Sequence, residues 1–252
     1  MSSKTVYLSE DISSAQAQAH RRSFRSKPYG LASTLAARPN VIPNAPTFTP
    51  SNSTRRLYGN TADNAAAIAH IKKIAGQLDV IIANAGINNH FSPLVTTPLP
   101  AFREHFEVNT LGPVILFQAA YKLLLVSPTG APVFAVISSA VGSMGRFGYI
   151  SATPYGMSGA AANYLVKTLD VEHPMLFASA IQSGWVSTDM GNKGTLSNGM
   201  GRSEALVSLE DSVAEILTRI DGATKKKSSG KFWNFKVAHG NPWDVETDGV
   251  PW

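Results

Sequence analysis

The stretch LDVIIANAG (78–86) decides the fold of this chain of 252 residues. It is an almost unbroken apolar run that stops at a glycine, which is typical of a β-strand buried on both faces. Two further runs, APVFAVISSA (131–140) and LFASAIQSGWV (176–186), have the same character. Strands of this kind occur in parallel sheets that helices cover on both faces, so the sequence predicts such a sheet.

Segments with helical spacing alternate with these strands. They are NTADNAAAIAHIKKIAG (60–76), a long stretch over 99–125, a helix that begins near Pro154 and Tyr155, and SLEDSVAEILTRI (208–220). A short strand, FWNFKV (232–237), follows the last of them. Ser208, three residues before Asp211, resembles a capping box at the start of a helix. The alternation predicts an α/β fold, a Rossmann-like, doubly wound parallel sheet in a single domain.

The N-terminal segment is irregular by comparison. KTVYL (4–8) fits a first strand and GLASTLAARPN (30–40) fits the end of a helix, but residues 9–29 between them contain no glycine. VIPNAPTFTPSNSTRR (41–56) carries three prolines, which are unfavourable in a central strand. We therefore predict loop or disorder in these two segments.

The charge follows the same division of the chain. We predict a single domain over 1–252, in which the N-terminal segment 1–60 is degenerate or poorly ordered and the remainder 61–252 is regular. The N-terminal segment holds eight Lys/Arg and two acidic residues. The remainder holds the other 14 basic and 15 acidic residues. The net charge of +5 is therefore a property of one segment. We interpret the basic run HRRSFRSK (20–27) as solvated chain, not as a nucleic-acid site, and Lys225 to Lys227 as a surface loop.

Several classes of protein are excluded by composition. The chain has no cysteine, which rules out disulfides and thiolate zinc sites, and no metal site is predicted. No run of about 18 apolar residues occurs, so no membrane partner is expected. The start MSSKTVYLSED lacks the apolar region of a secretory signal. These features predict a cytoplasmic protein.

Four motifs stand at the ends of the predicted strands and in the helices that follow. They are Asn84-Ala85-Gly86 in LDVIIANAG, Asn109 in FEVNTLGP, Ser139 in ISSAVGSMG, and Tyr155 in TPYGMSGAAANYLV. In this order and spacing they resemble the short-chain dehydrogenase/reductase family over about residues 60–252. The closing DGVPW (248–252) is similar to fungal reductases of the family, and the nearest likeness is to the norsolorinic acid ketoreductase-like group.

The resemblance implies a nicotinamide cofactor, NADP with NAD as the alternative, and a small-molecule ketone or alcohol as substrate. It implies that Tyr155 donates the proton, that Ser139 holds the carbonyl oxygen, and that Asn109 holds a water in a proton relay. The residues implied beside the cofactor are Asn84, Ala85, Gly86, Tyr155, Val186 and Thr188, the last two lying in IQSGWVSTDMG (181–191) and facing the nicotinamide carboxamide.

One departure from the family concerns the acid. A tyrosine has a pKa of about 10, and a nearby cation lowers it towards neutrality. The family places a lysine four residues after the tyrosine, but here that residue is Gly159. Lys167 lies twelve residues after Tyr155, roughly 18 Å along the helix, which is too far. Arg146 and His90 remain as cations in nearby loops.

A second departure concerns the cofactor phosphates. The family binds them on a glycine-rich turn after the first strand, where backbone amides at a helix start face the anion. Residues 9–29 have no glycine, and Glu10 and Asp11 would repel a phosphate. The residue that selects NAD or NADP is not assigned, and Arg55 and Arg56 are candidates for it. Ser183 stands where the family usually has proline.

Three interpretations therefore stay open. The first is an NADP(H)-dependent ketoreductase of fungal secondary metabolism acting on a bulky aromatic or polyketide-like ketone. The second is an inactive or non-redox protein on the same fold, and the third is an altered gene model over residues 9–60. The resemblance implies a homo-oligomer formed through helices 99–125 and 154–171, whereas the small, polar loop 190–207 does not identify a substrate.

Overall fold

The structure is a computed structural model. It describes residues 5–9, 31, 34–35, 41–44, 61–148, 150–199, 201–235 and 249–252. Several predictions lie outside the described residues: the basic run 20–27, nearly all of the glycine-free segment 9–29, Arg55 and Arg56, and the end of the last predicted strand at 236–237.

Six parallel strands form one sheet. They are β1 (Thr5–Ser9), β2 (Val41–Asn44), β3 (Val80–Ala83), β4 (Val133–Ser138), β5 (Phe177–Gln182) and β6 (Lys231–Trp233), in the spatial order β2-β1-β3-β4-β5-β6. The predicted parallel sheet is confirmed. The chain moves from β1 to one side and then crosses to the other, and ligands of open α/β sheets bind at the carboxyl ends of strands near such a switch point.

The prediction that 41–56 contains no strand was wrong at its start. Val41–Asn44 form β2, which pairs with β1 in the register Tyr7↔Pro43. β2 is the outermost strand among those described, so it pairs on one side only. A proline costs a sheet little at such an edge, because its missing N–H is not needed by a second neighbour.

The described helices are α1 (Thr61–Ala75), α2 (Leu99–Phe106), α3 (Gly112–Leu124), α4 (Thr153–Glu172), α5 (Asp189–Ser197), α6 (Leu209–Asp221) and α7 (Lys225–Ser228). All except α5 and α7 agree with the predicted segments. A π-helical turn, Glu107–Leu111, joins α2 to α3, so the long stretch 99–125 is one helical segment with a widened turn. Ser208 caps α6 by accepting from the Asp211 N–H, as predicted. No described helix is long and apolar enough to cross a membrane.

Two apolar layers cover the faces of the sheet. Alternate residues of β4 point to opposite faces, as strand geometry requires: Phe134 packs with α3 and α4, and Val133 packs with α6. Leu31 and Leu35, both helical, join the second layer. Burial of each large apolar side chain stabilises the fold by about 1.5–3 kcal/mol, which explains why the central strands are mostly apolar.

Two segments predicted as loops are partly helical. Thr188 caps α5 within the stretch 190–207, and Thr224 caps α7 at Lys225 to Lys227, because each hydroxyl accepts a hydrogen bond from a backbone N–H of the first turn. Lys225 is not a free surface charge. Its Nζ lies 2.5 Å from Oδ1 of Asp170, near the end of α4.

Replacement of Asp170 by asparagine should lower the free energy of unfolding at pH 7 by about 2 kcal/mol, since charged hydrogen bonds are lost. Burial acts to raise the pKa of the Asp170 carboxyl, but hydrogen bonds from Lys225 and Ser229 outweigh it and hold the pKa below its ordinary value. A depressed pKa stabilises the fold above the unfolded pKa, about 3.9, and this contribution disappears as pH falls through the folded pKa.

Urea unfolding at pH 7 and pH 3 tests this prediction. The difference in free energy of unfolding between wild type and Asp170→Asn should be smaller at pH 3 than at pH 7. An equal difference at both pH values would contradict the role of the ion pair. Glu172→Gln, at an exposed position on the same helix, is the matched control and should change little at either pH.

Candidate functional site

The predicted site residues gather at the carboxyl ends of three neighbouring strands. Asn84, Ala85 and Gly86 follow β3 directly and are half-buried. Ser139 follows β4, and Val186 and Thr188 follow β5. The sheet therefore brings together residues that are about 100 positions apart in the chain, at the edge where ligands of this architecture bind.

Asn109 lies in the π-helical turn and joins two parts of this edge. Its Oδ1 accepts from the Ile87 N–H at 2.7 Å, and its Nδ2 donates to the Ile87 carbonyl at 3.0 Å. The same Nδ2 donates to Oγ of Ser158 on α4 at 3.0 Å. The side chain is 8% exposed, so these bonds are protected from water. Asn109 thus ties the segment after β3 to the helix that carries Tyr155.

Ser158 is a site residue that the sequence motifs did not reveal. It is fully buried, and its hydroxyl donates to the Tyr155 carbonyl at 2.9 Å while accepting from Asn109. Thr110 donates to the Ser158 carbonyl at 3.0 Å. Ser158 stands three residues after Tyr155, so helical spacing places both on one face. That spacing was the available signal.

Ser139 and Tyr155 form a pair. Tyr155 is half-buried in the first turn of α4, and burial raises the pKa of its phenol. A hydrogen bond with the Ser139 side chain acts in the opposite direction, but the pKa stays above its ordinary value. A hydroxyl donor beside a phenol is suited to holding and protonating a carbonyl oxygen between them. Tyr155 is therefore a weak acid, because burial raises its pKa by more than the Ser139 hydrogen bond lowers it.

Two of the three cations considered for this phenol, Lys167 and His90, are engaged with other groups. Lys167 Nζ donates to the Gly230 carbonyl at 3.2 Å and lies 5.3 Å from the centre of the Trp252 ring. His90 Nε2 lies 2.9 Å from the Ser92 hydroxyl. Arg146 has one guanidinium nitrogen, Nη1, that is buried without a hydrogen-bond partner in the described portion of the chain.

The backbone around Gly159 leaves room for a Cβ atom. A Cβ atom built there would meet only the Gly142 backbone within 4 Å, its Cα at 3.4 Å and its N at 3.8 Å, which is ordinary van der Waals contact. The site therefore has room for the first atom of a longer side chain. Positions four apart on a helix lie on one face, so that side chain would extend on the Tyr155 side.

Val186 and Thr188 lie where the chain crosses from β5 to α5. Val186 forms an isolated bridge with Val207, and Thr188 is the exposed N-cap of α5. Helix α5 and its C-terminal cap are joined to two loops: Lys193 Nζ donates to the Asn89 carbonyl at 3.2 Å, and the Ser151 N–H donates to Asn198 Oδ1 at 3.2 Å. This segment therefore connects the loop after β3 to the loop before α4.

The described residues fit the nicotinamide end of a dinucleotide. Asn88, two residues after Gly86, has a buried Oδ1 with no hydrogen-bond partner among the described residues, so a ligand hydroxyl or amide could donate to it. The phosphate-binding segment, which would follow β1, lies outside the described residues.

Comparisons with known proteins agree with this geometry. Residues 58–198 match the family model described as short chain dehydrogenase. The norsolorinic acid ketoreductase of Aspergillus parasiticus is 39% identical over 197 residues, which are 75% of this chain and 68% of that protein. The norsolorinic acid ketoreductase nor1 of Dothistroma septosporum is 36% identical over 186 residues, 72% of this chain and 69% of that protein.

Solved structures support the fold. The NADPH-bound carbonyl reductase from chicken fatty liver superposes with a TM-score of 0.67 at 23% identity, covering 93% of this chain and 97% of that one. The carbonyl reductase Sniffer of Drosophila melanogaster gives 0.67 at 18% identity, covering 99% and 98%. With these matches and with the four motifs at one edge of a parallel sheet, the chain belongs to the short-chain dehydrogenase family of oxidoreductases.

Proposed function

We propose that this protein is an NADP(H)-dependent ketoreductase. When bound, the cofactor supplies a hydride to the carbonyl carbon and is oxidised. Tyr155 donates a proton to the carbonyl oxygen, and the Ser139 hydroxyl donates a hydrogen bond to the same oxygen, so the ketone becomes an alcohol. The observation that carries the proposal is the placement of Ser139 at the carboxyl end of β4 and of Tyr155 in the first turn of α4, where Ser139 acts to lower the pKa of the phenol.

Other residues would hold the cofactor and the water. Asn84, Ala85 and Gly86 would line the nicotinamide from the end of β3, and Val186 and Thr188 would approach its carboxamide from the segment before α5. Asn109 would order a water from within the π-helical turn, a distortion often found at functional sites. NADP is favoured over NAD because NADPH is bound in the chicken carbonyl reductase.

The substrate class follows from the curated relatives. Three of them are named norsolorinic acid ketoreductases, which supports a bulky aromatic ketone of fungal secondary metabolism as the substrate. The Gly-rich α5 segment would close over such a molecule.

We also propose that the protein is a homo-oligomer. The residues Met157, Tyr164 and Val171 lie seven apart on α4 and are 49%, 76% and 76% exposed. An exposed apolar stripe on a long helix is suited to packing against another copy of the same helix. Analytical ultracentrifugation, with Tyr164→Glu as the disrupted variant, tests this second proposal.

A deuterium-transfer assay tests the reductase function. The protein is incubated with NADPH deuterated at the reactive C4 position and with a panel of aromatic ketones, and the alcohols are analysed by mass spectrometry. The proposal predicts an alcohol one mass unit heavier than the product formed with unlabelled NADPH. Absence of labelled alcohol from wild type and from Gly159→Lys alike would favour the second candidate, a non-redox ligand-binding protein, which Gly159 supports.

A further inference from the structure

The residues on both sides of Ser139 are held by two buried amide side chains. Gln182, at the end of β5, accepts through Oε1 from the N–H of Ala140 at 2.6 Å. Gln182 is 9% exposed, so this bond is shielded from competing water. The backbone immediately after Ser139 is therefore fastened to the neighbouring strand.

Asn163 fastens the same segment to helix α4. Its Oδ1 accepts from the Ser138 hydroxyl at 2.7 Å, and its Nδ2 donates to the Gly142 carbonyl at 3.3 Å. Asn163 is 4% exposed and stands eight residues after Tyr155 on the same helix. One side chain thus ties the strand end before Ser139 and the turn after it to the helix that carries the phenol.

Close backbone packing completes this fixation. The turn Ala140–Gly142 lies so near α4 that a Cβ atom on Gly142 would come within 2.7 Å of the Gly159 carbonyl carbon and 2.8 Å of the Ala160 nitrogen. Only glycine allows this approach. The turn is therefore held by β5 through Gln182, by α4 through Asn163, and by direct contact.

The orientation of the Ser139 hydroxyl follows from this turn. The Val141 N–H donates to Ser139 Oγ at 3.3 Å, which occupies the oxygen as an acceptor. The hydroxyl hydrogen is then free to donate to the Tyr155 phenol, whose pKa a Ser139 hydrogen bond lowers, until a bound carbonyl oxygen accepts it instead. Hydrogen bonds in such a chain strengthen one another, because each donor is polarised by the bond it accepts.

We propose that Gln182 and Asn163 are positioning residues that hold the Ser139 turn so that the Val141 N–H, the Ser139 hydroxyl and the Tyr155 phenol form one continuous chain of hydrogen bonds. This rests on the proposed function, since the chain matters only if Tyr155 is the acid. In a site without the lysine, this neutral chain is what favours the phenolate. When one of the two amides is removed, the turn shifts and the Tyr155 phenol loses the Ser139 hydroxyl as its donor.

A titration of the phenol itself tests the proposal without relying on turnover. Tyr155 is replaced by 3,5-difluorotyrosine, whose phenol is more acidic, and its ionisation is followed by fluorine NMR in the full chain. Gln182→Ala and Asn163→Ala should each raise the midpoint by roughly half to one pH unit, as expected when one neutral hydrogen bond is lost. Ser139→Ala should raise it by at least as much.

The controls separate positioning from general loss of stability. Gln77→Ala removes an amide bonded to Asp79 at the opposite edge of the sheet and should leave the midpoint unchanged. Gln182→Glu keeps an acceptor oxygen for the Ala140 N–H. At low pH its carboxyl group is protonated and neutral, like the amide that it replaces, so the fluorine chemical shift of this variant should then match that of the wild type. Circular dichroism verifies that each variant is folded over the pH range used.

Two different failures are distinguishable. If Ser139→Ala moves the midpoint but folded Gln182→Ala and Asn163→Ala do not, the positioning role is wrong and the Ser139–Tyr155 pair stands. If Ser139→Ala also leaves the midpoint unchanged, the pair on which the proposed function rests is itself wrong. Should one amide variant fail to fold, the other carries the test.

Discussion

The Gly159→Lys variant is expected to reduce ketones with a kcat/KM about 10- to 100-fold above that of wild type, because a cation beside Tyr155 lowers the pKa of its phenol. The Cβ position at 159 meets only the Gly142 backbone at ordinary contact distances, so the first atom of the new side chain fits. Replacing glycine by lysine within a helix also stabilises the helix by about 1 kcal/mol, so the variant should unfold at a higher temperature. NADPH consumption with an aromatic ketone measures the change.

Two control variants separate charge from helix stability and side-chain length. Gly159→Ala gains helix propensity without a charge, and Gly159→Met has nearly the length of lysine but is neutral. Neither should gain turnover, although both should unfold at higher temperature than wild type. If Gly159→Met matched Gly159→Lys in activity, filling of space and not the charge would be the cause.

The second large effect is expected for Tyr155→Phe in the Gly159→Lys background. Removal of the phenol should lower kcat/KM by about 100- to 10,000-fold, the usual contribution of a positioned general acid. The phenylalanine keeps the ring that packs in the first turn of α4, so the fold should be retained. Initial rates and NADPH affinity are measured on the same preparation.

The expected signature of Tyr155→Phe is a large fall in kcat with little change in cofactor affinity. Tyr164→Phe, an exposed position on the same helix, is the matched control and should behave as its parent. A Tyr155→Phe protein that kept a tenth or more of the activity would show that another group protonates the substrate.

Much of the fold was predictable from sequence because its strands are buried on both faces. Apolar runs such as 131–140 allow little besides a central strand, and helix ends such as Gly76, with a φ of +73°, are marked by residues suited to them. The strand β2 was missed because propensity alone does not tell an edge from a centre. Pro43 rules out a central strand, which needs hydrogen bonds on both sides, but it is compatible with an edge strand.

The candidate site residues could be named from motifs, but their hydrogen-bond partners could not. Order and spacing nominate Ser139 and Tyr155, and the structure places Ser139 directly after β4 and Tyr155 in the first turn of α4. Gln182 and Asn163 carry no motif, because a buried amide is recognised by what it bonds, and its partners at Ala140 and Ser138 are distant in the chain. Lys225 was misassigned for the same reason, since its partner Asp170 is 55 residues away.

The proposed reductase activity depends most directly on whether the protein binds the cofactor. Titration of the purified full chain with NADPH, followed by nucleotide fluorescence, should give a saturable change with a midpoint below about millimolar. The Gly159→Lys protein should bind more tightly than wild type, since a lysine would add a donor to the nicotinamide ribose. No saturable change in either protein up to millimolar NADPH would contradict the assignment of this chain as an NADP(H)-dependent ketoreductase.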